Sequence, residues 1–165
     1  MVEIRRGIPG DGALIARTRQ KCWDATYRGI FPDEAIDDFD FHWHTARDEA
    51  RLKKSDYFYH LVMDGTSCVG YLSYGVFGEN GFRLQSLYLL PDYQGKGIGK
   101  HLMGIVLDAC WKMGFKMLRW DCSPHNTKAM GFYAHLGGKV IDMDVGHENR
   151  QEDGCTYELL LTKGE

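Results

Sequence analysis

The chain has 165 residues, of which 44% are hydrophobic, enough for one domain with a substantial core. Its formal net charge of −3 argues against a nucleic-acid partner, because nucleic-acid-binding domains are usually basic. Apolar runs fall short of the roughly 18 residues that a membrane span needs, and the start "MVEIRRGIPG" lacks a signal-peptide segment. We therefore expect a cytoplasmic protein without a membrane partner. The odd number of cysteines, the absence of a C-x-x-C pair and the scattered histidines predict reduced thiols and no metal site.

The N-terminal third predicts one strand and two helices. Residues 2–8 suit a strand, and Asp11 suits the N-cap of a helix over 12–27. Pro32 is typical of the first turn of a second helix, with Asp33 or Glu34 at its positive end. We expect this second helix to continue to about Lys54.

The rest of the chain predicts six strands and two helices. The hairpin signal "DGT" joins strands over 57–63 and 67–77, and another strand covers 82–90. An amphipathic helix follows and stops at Gly114; a strand over 116–122, a helix over 126–137 and a final antiparallel pair over 139–145 and 156–162 complete the order. The sequence therefore predicts a single α/β domain over 1–165, with a mixed, mostly antiparallel central sheet of about seven strands flanked by four helices.

Three glycines at alternate positions, Gly95, Gly97 and Gly99, stand where the strand over 82–90 gives way to a helix. The first N–H groups of a helix lack intrahelical acceptors, and the helix dipole makes that end positive. Glycines let the backbone close around an anion, and Lys96 and Lys100 add positive charge. This loop predicts a phosphate or pyrophosphate site; a tight turn without a ligand is the alternative. Neither the Walker nor the Rossmann glycine spacing fits.

The stretch "QGKGIG" resembles the Gln/Arg-x-x-Gly-x-Gly/Ala signature of the GNAT superfamily, the acetyl-CoA-dependent N-acetyltransferases. The preceding "LYLLPDY" is similar to that family's fourth strand. Downstream, "WDCSPHNTKAMGFYAHLGGKV" resembles its second motif, and "DGALIARTRQKCWDATYRGIFPDE" its first two helices. The resemblance covers nearly all of the chain. Two departures are visible: Gly138 stands where a phenylalanine is usual, and Gln85 and Ser86 stand where some members carry a glutamate base.

The resemblance implies acetyl-CoA as co-substrate and an N-acetyltransferase that moves the acetyl group to a primary amine by direct attack on the thioester. The backbone of the glycine loop would hold the pyrophosphate, the strand before it would pair with the pantetheine arm, and a backbone N–H near Leu89 would polarise the thioester carbonyl. The cofactor-binding residues implied are Leu87, Tyr88, Leu89, Gln94, Gly95, Lys96, Gly97, Ile98, Gly99, Lys100, Asn126, Ala129 and Phe132. Tyr133 would be the general acid that protonates the departing thiolate.

The acceptor side is less determined. Trp23 and Tyr27, one helical turn apart, suit the acceptor cleft, and core packing is the alternative. The acidic and aromatic stretch over 31–44 suits a small cationic amine, or else a solvated helix face. The general base is open among bulk water and five side chains, which are Tyr27, His42, His44, Glu79 and Asp121.

Other functions are compatible with part of the pattern. A non-catalytic acetyl-CoA-binding module fits the missing strand-four glutamate, and a protein N-terminal or lysine acetyltransferase fits the same motifs. A nucleotide-dependent oxidoreductase fits the glycines alone. The resemblance also allows a homodimer.

Overall fold

The computed structural model describes residues 1–162 as a seven-stranded sheet with helices on both faces. The predicted domain extends to residue 165, so its last three residues lie outside the described ones. The strands are β1 (Val2–Arg6), β2 (Tyr57–Asp64), β3 (Ser67–Val76), β4 (Phe82–Leu89), β5 (Met117–Cys122), β6 (Lys139–Asp144) and β7 (Gly154–Leu160). The helices are α1 (Gly12–Tyr27), α2 (Asp33–Asp37), α3 (Phe41–Leu52), α4 (Ile98–Lys112) and α5 (Thr127–His135).

The sheet has the order β1-β2-β3-β4-β5-β7-β6, and all its neighbours are antiparallel except β4 and β5. This confirms the predicted mixed, mostly antiparallel sheet and the order of its elements. Consecutive residues of β3 face opposite sides, because side chains alternate along a strand. Tyr71 joins the core under α1 and α3, while Leu72 joins the core under α4 and α5. No helix within residues 1–162 is long and apolar enough to cross a membrane.

The expected second helix over 32–54 is two helices. The α2 segment ends at Asp37, and Asp40 begins α3 by accepting a hydrogen bond from the Trp43 N–H at 2.9 Å. An aspartate offers its neighbouring backbone a capping bond and so favours a new helix start over continued helix. The break therefore follows from a cap inside the acidic stretch.

Asp11 occupies the N-cap position of α1, as predicted, but its side chain does not cap the helix. It instead accepts two hydrogen bonds from the Arg5 guanidinium and one from the Ile8 N–H. The carboxylate of Glu49 on α3 caps the helix instead, because it accepts hydrogen bonds from the N–H groups of Gly10 and Gly12. The start of α1 is thus stabilised by a residue distant in the sequence.

A buried ion pair joins α1 to α3. The Arg19 guanidinium donates to both carboxylate oxygens of Asp48, at 2.7 and 3.0 Å, and to the Tyr71 hydroxyl at 2.8 Å. The Tyr59 hydroxyl also donates to Asp48, and His44 Nδ1 lies 3.2 Å from Arg19. A charge pair in the interior is tolerated only when its remaining polar atoms are satisfied in this way. The network fixes α1 and α3 against the sheet.

The far edge of the sheet is formed by β6, whose six residues are all exposed. Val140, Ile141 and Met143 on this strand are 44%, 47% and 45% exposed. The other three residues of the strand, Lys139, Asp142 and Asp144, are charged.

Candidate active site

The two parallel strands at the centre of the sheet diverge soon after they meet. Only one pair of residues, Arg83 and Arg119, is in register between β4 and β5. Beyond that pair a gap opens between residues 86–89 of β4 and residues 120–122 of β5, which we call the β4–β5 gap. Backbone groups on the β5 side of β4 are therefore left free to bind an extended ligand.

Leu89 directs its backbone polar groups into the β4–β5 gap. The Leu90 N–H donates to the Val69 carbonyl of β3 at 2.9 Å, and Gly70 is the register partner of Leu89. Successive residues of an antiparallel strand alternate between its two edges, so Leu89 faces away from β3. Its carbonyl accepts a hydrogen bond from Gln94 Nε2 at 2.9 Å, and its N–H points to the same side.

Gln85 forms a β-bulge in β4, because Ser86 pairs with Ser73 and Leu84 pairs with the next residue, Tyr74. The side chain of Gln85 is exposed. A bulge bends its strand and strengthens the local twist. Its position just before the gap accounts for the divergence of β4 from β5.

The glycine loop, residues 94–100, wraps around the N-terminus of α4. Gly95 and Gly97 have φ of 72° and 84°, in the left-handed region that favours glycine, and Gly97 is the N-cap. Within residues 1–162, the N–H groups of residues 95–100 have no hydrogen-bond acceptor. They therefore form a cluster of free donors at the positive end of a 15-residue helix.

Two further contacts shape this loop. A Cβ on Gly99 would lie 3.2 Å from Cζ of Phe132, so the missing side chain lets α4 and α5 approach closely. Gln94 also accepts a hydrogen bond from Lys128 Nζ at 2.6 Å, which ties the loop to α5.

Lys96 and Lys100 are exposed. A cavity of about 380 Å³ adjoins the loop, lined by Val2, Ile4, Lys96, Gly97, Ile98 and His101.

Asn126 and Tyr133 lie at opposite ends of α5. Asn126 caps the helix by accepting from the Ala129 N–H at 3.2 Å, which leaves its side-chain amide N–H groups without a partner within residues 1–162. The Tyr133 ring packs 5.1 Å from that of Trp120 and is 7% exposed. Its hydroxyl makes no hydrogen bond in the described residues. Unlike Trp120 Nε1, which is unpaired there and fully buried, the Tyr133 hydroxyl is accessible to solvent. Burial raises the pKa of Tyr133, so the phenol stays protonated.

Trp23 and Tyr27 belong to an aromatic wall on the α1 side of the sheet, together with Phe31, Phe39, His44 and Tyr88. Tyr27 stacks on Phe31 with ring centroids 4.1 Å apart, and Trp23 Nε1 donates to the Tyr88 hydroxyl at 3.2 Å. Burial raises the pKa of Tyr27, and the neighbouring Tyr88, Cys122 and Tyr133 raise it further. The hydroxyls of Tyr27, Tyr88 and Tyr133 thus lie near one another around the end of β5.

The structure argues against several of the proposed general bases. Tyr27 has a raised pKa, and Asp121 already accepts from Arg83 and Thr156. His44 is buried, its Nδ1 lies beside two arginines, and burial with those charges lowers its pKa to about 4. Glu79 sits in the turn before β4, at the end of that strand remote from the glycine loop, and His42 is exposed on α3.

The acidic stretch has structural partners. Arg28 forms ion pairs with Asp24, Asp33 and Asp37, at 2.5, 3.2 and 2.9 Å, and Asp40 caps α3. Part of the negative charge is therefore neutralised where the sequence suggested a cation site.

Two features of this region could not be predicted from the local sequence. The Tyr88 side chain joins the aromatic wall, although only its backbone was assigned a role. His125, in the turn after β5, pairs with Asp153, 28 residues further on, with Nε2 and Oδ2 2.6 Å apart. A hydrogen bond over such a separation depends on the sheet order, which puts β7 next to β5.

Comparisons with known proteins agree with this geometry. Residues 18–137 match the Acetyltransferase (GNAT) family. The chain is 25% identical over 151 residues to a spermidine N(1)-acetyltransferase of Thermoplasma acidophilum, covering 87% of this chain and 91% of that protein. It is 30% identical over 90 residues to a thialysine N-epsilon-acetyltransferase of Bos taurus, covering 54% of this chain and 53% of that protein.

The chain is also 27% identical over 165 residues to the peptidyl-lysine N-acetyltransferase YjaB of Salmonella typhimurium, covering 97% of this chain and 96% of that protein. Several other matches to curated relatives are partial, and the chain spans as little as 28% of a relative's length. Among solved structures, PaiA N-acetyltransferase from Thermoplasma acidophilum in complex with coenzyme A superposes with a TM-score of 0.82 at 23% identity. That match covers 97% of this chain and 99% of that one. The matched family covers most of the chain, and its fold is the one described above. The chain therefore belongs to the acetyltransferase (GNAT) family.

Proposed function

We propose that this protein is an N-acetyltransferase that moves the acetyl group of acetyl-CoA to a primary amine of a small cationic molecule. The observation that carries the proposal is the β4–β5 gap, where the N–H of Leu89 faces away from β3 and β4 runs on towards the glycine loop. With Tyr133 as the acid, an anion site, a strand edge and a proton donor would serve the three parts of an acyl-CoA, namely phosphates, amide arm and thioester.

The glycine loop fits the pyrophosphate. The free N–H groups of residues 95–100 supply hydrogen-bond donors. Lys96 and Lys100 are exposed and supply positive charge. The pantetheine arm would pair with the free edge at Leu87 and Leu89, as an added strand pairs with a sheet edge. The side-chain amide of Asn126 is available to the same arm, and Phe132 and Ala129 form an apolar flank.

The chain would supply two catalytic groups to the reacting carbonyl. The Leu89 N–H donates to the carbonyl oxygen as negative charge develops on it. Tyr133 donates its phenolic proton to the departing CoA thiolate when the C–S bond breaks. Its raised pKa suits an acid, because the group is protonated throughout the neutral range.

The aromatic wall is proposed to hold the acceptor. Faces of Trp23 and Tyr27 attract an ammonium group through their π-electrons. Glu34 and Asp38, which form no ion pair within residues 1–162, add long-range attraction. Relatives named for spermidine and thialysine, both amines that carry positive charge, favour the same substrate class.

We expect cationic primary amines such as spermidine to be acetylated with a higher kcat/KM than neutral primary amines of equal size. Raising the ionic strength should raise KM for the cationic amines only, because salt screens charge attraction. Thiol release measured at two salt concentrations checks this. Equal use of both kinds of amine, or salt-independent KM, contradicts a cation-selective site.

The first experiment is a thermal-shift titration with acetyl-CoA, CoA and NAD, followed by thiol release against amines and lysine-containing peptides. A ligand at about a hundredfold excess over its Kd should stabilise the fold by roughly 2.7 kcal/mol. Stabilisation by acetyl-CoA together with thiol release supports the transferase. Faster thiol release with lysine-containing peptides than with small amines would indicate a protein substrate. Stabilisation without release for any acceptor favours a binding module, and stabilisation by NAD alone overturns the proposal.

A further inference from the structure

The reaction needs a base, and the strand that supplies one in some relatives does not supply it here. The acceptor amine arrives as an ammonium ion and must lose a proton before its nitrogen can attack. Gln85 and Ser86 are poor bases at neutral pH, and the tyrosines around the gap have raised pKa values. A proton acceptor must come from another element.

His125 stands in the turn between β5 and α5, which follows the strand that borders the gap. It follows Cys122, the last residue of β5, by three positions and immediately precedes the cap residue Asn126. The Cys122 sulfur is close enough to the hydroxyls of Tyr27 and Tyr133 to raise the pKa of both. The turn that carries His125 therefore begins at the residue of β5 that lies near the proposed acid and Tyr27 of the aromatic wall.

The His125 ring is held in one tautomer. Asp153 accepts from Nε2 at 2.6 Å, and a carboxylate can only accept, so the proton of the neutral imidazole lies on Nε2. Nδ1 then presents a lone pair, has no partner within residues 1–162, and belongs to a side chain that is 29% exposed. A base needs such a lone pair, reachable by substrate.

Asp153 is itself fixed. Its side chain is 4% exposed, and its second oxygen accepts from the His147 N–H at 3.0 Å. The hydrogen bond from His125 and that from His147 lower the pKa of Asp153, so it remains an anion. The charged groups beyond it are the side chains of Asp144, His147 and Glu152, which pair among themselves. Asp153 is thus a positioning residue that also balances a charge on His125.

We propose that His125, oriented by Asp153, is the general base that deprotonates the acceptor ammonium. This inference rests on the proposed transferase function. Nδ1 takes one proton from the ammonium, and the imidazolium is balanced by the Asp153 carboxylate. The amine nitrogen then forms the C–N bond as the C–S bond breaks. Tyr133 protonates the departing thiolate, and the second proton of the nitrogen passes to the Tyr133 phenolate and restores the phenol. His125 returns its proton to solvent.

The test compares His125→Gln and Asp153→Asn with the wild type at pH 7 and at pH 9.5, using one amine that the wild type acetylates. We expect kcat to fall at least about tenfold at pH 7 in His125→Gln. At pH 9.5 much more of the amine is already neutral, so the deficit should shrink severalfold. Asp153→Asn should show the same pattern, because an asparagine N–H facing Nε2 moves the ring proton to Nδ1.

The control is His135→Gln, which removes an exposed imidazole on α5 and should leave kcat within about twofold. Acetyl-CoA binding and Tm of both variants should stay close to wild type. Unchanged kcat, or an equal loss at both pH values, overturns the assignment. If the wild type binds acetyl-CoA but releases thiol with no amine, the transferase proposal fails, and the role of His125 falls with it.

Discussion

The hydroxyl of Tyr133 makes no hydrogen bond in the described residues, and we propose it as the acid at the β4–β5 gap. We expect Tyr133→Phe to lower kcat at least about tenfold while Tm and the Kd for acetyl-CoA stay nearly unchanged. Within residues 1–162 this change breaks no hydrogen bond. Steady-state thiol release and thermal-shift titration measure the two effects.

Tyr157→Phe is the matched control, because its ring packs 5.5 Å from that of Tyr133 while its hydroxyl donates to the Met130 carbonyl. We expect kcat within about twofold of wild type. A large loss in Tyr157→Phe, or unchanged kcat in Tyr133→Phe, would point to packing of the aromatic cluster instead of proton donation.

Sequence reasoning at this scale succeeded where a residue acts through its own neighbours. Gly95 and Gly97 adopt the left-handed backbone that lets the loop close around the start of α4, as expected of glycines there. It failed where the partner is remote. Glu49 caps α1 in place of Asp11, and Asp153 orients His125, and neither partner could be predicted without the tertiary fold.

Helix α5 ends in a motif that explains the missing phenylalanine at position 138. The N–H of Gly138 donates to the Tyr133 carbonyl, and that of Gly137 to the Ala134 carbonyl. A Cβ on Gly138 would lie 3.0 Å from both Trp120 Cζ2 and the Tyr133 carbonyl oxygen. The Trp120 ring therefore fills the space that a larger residue would need.

We expect Gly138→Ala to lower the free energy of unfolding by about 1–3 kcal/mol, because neither an aromatic ring nor a backbone oxygen can give way cheaply. Turnover should also fall, since Tyr133 shares the contact. Gly131→Ala is the control, because its Cβ would meet nothing within 4 Å. It should stabilise the helix by about 0.5–1 kcal/mol. Urea unfolding distinguishes the two, and equal effects would contradict the packing argument.

The helix break at residues 38–40 shows why element boundaries are hard to read. Asp37, Asp38 and Asp40 form one acidic run in the sequence, yet Asp37 pairs with Arg28 while Asp40 caps α3. Residue type alone does not distinguish an ion-pair partner from a cap, because both roles use the same carboxylate.

On the scale of the whole molecule, element order and sheet type were predictable from periodicity and turn signals. The β4–β5 gap was not derivable from those signals, and its position came from the family resemblance. The gap depends on how two strands separated by 27 residues are arranged in the sheet, and local sequence patterns do not report that arrangement. The bulge at Gln85 lies just before the point where the gap opens.

Stability should depend on pH through His44, which is buried, and His60, which is half-buried. Burial lowers the pKa of His44 and of His60 to about 4, with help from nearby arginines. In the unfolded chain an imidazole titrates near about 6.5, so between these values the unfolded state binds more protons. Stability is therefore present above that window and is lost as the pH falls through it. The raised pKa of His147, caused by Asp144, opposes this effect.

We expect the free energy of unfolding to fall between pH 7 and pH 4.5, with His44 contributing at most about 3 kcal/mol. Urea unfolding of wild type and His44→Gln at both pH values measures its share. The variant should be less stable at pH 7 and lose less on acidification. Parallel losses in the two proteins would mean that other groups govern the acid response.

The exposed strand β6 has a consequence for handling the protein. An edge strand with open N–H and C=O groups and apolar side chains offers a template for intermolecular pairing. Repulsion between copies then depends on the net charge of the protein, which is −3 at pH 7 and vanishes near its isoelectric point of about 6.2. Colloidal stability should therefore be lowest at mildly acidic pH and high salt, where protein molecules stop repelling one another at this edge before the fold itself is lost.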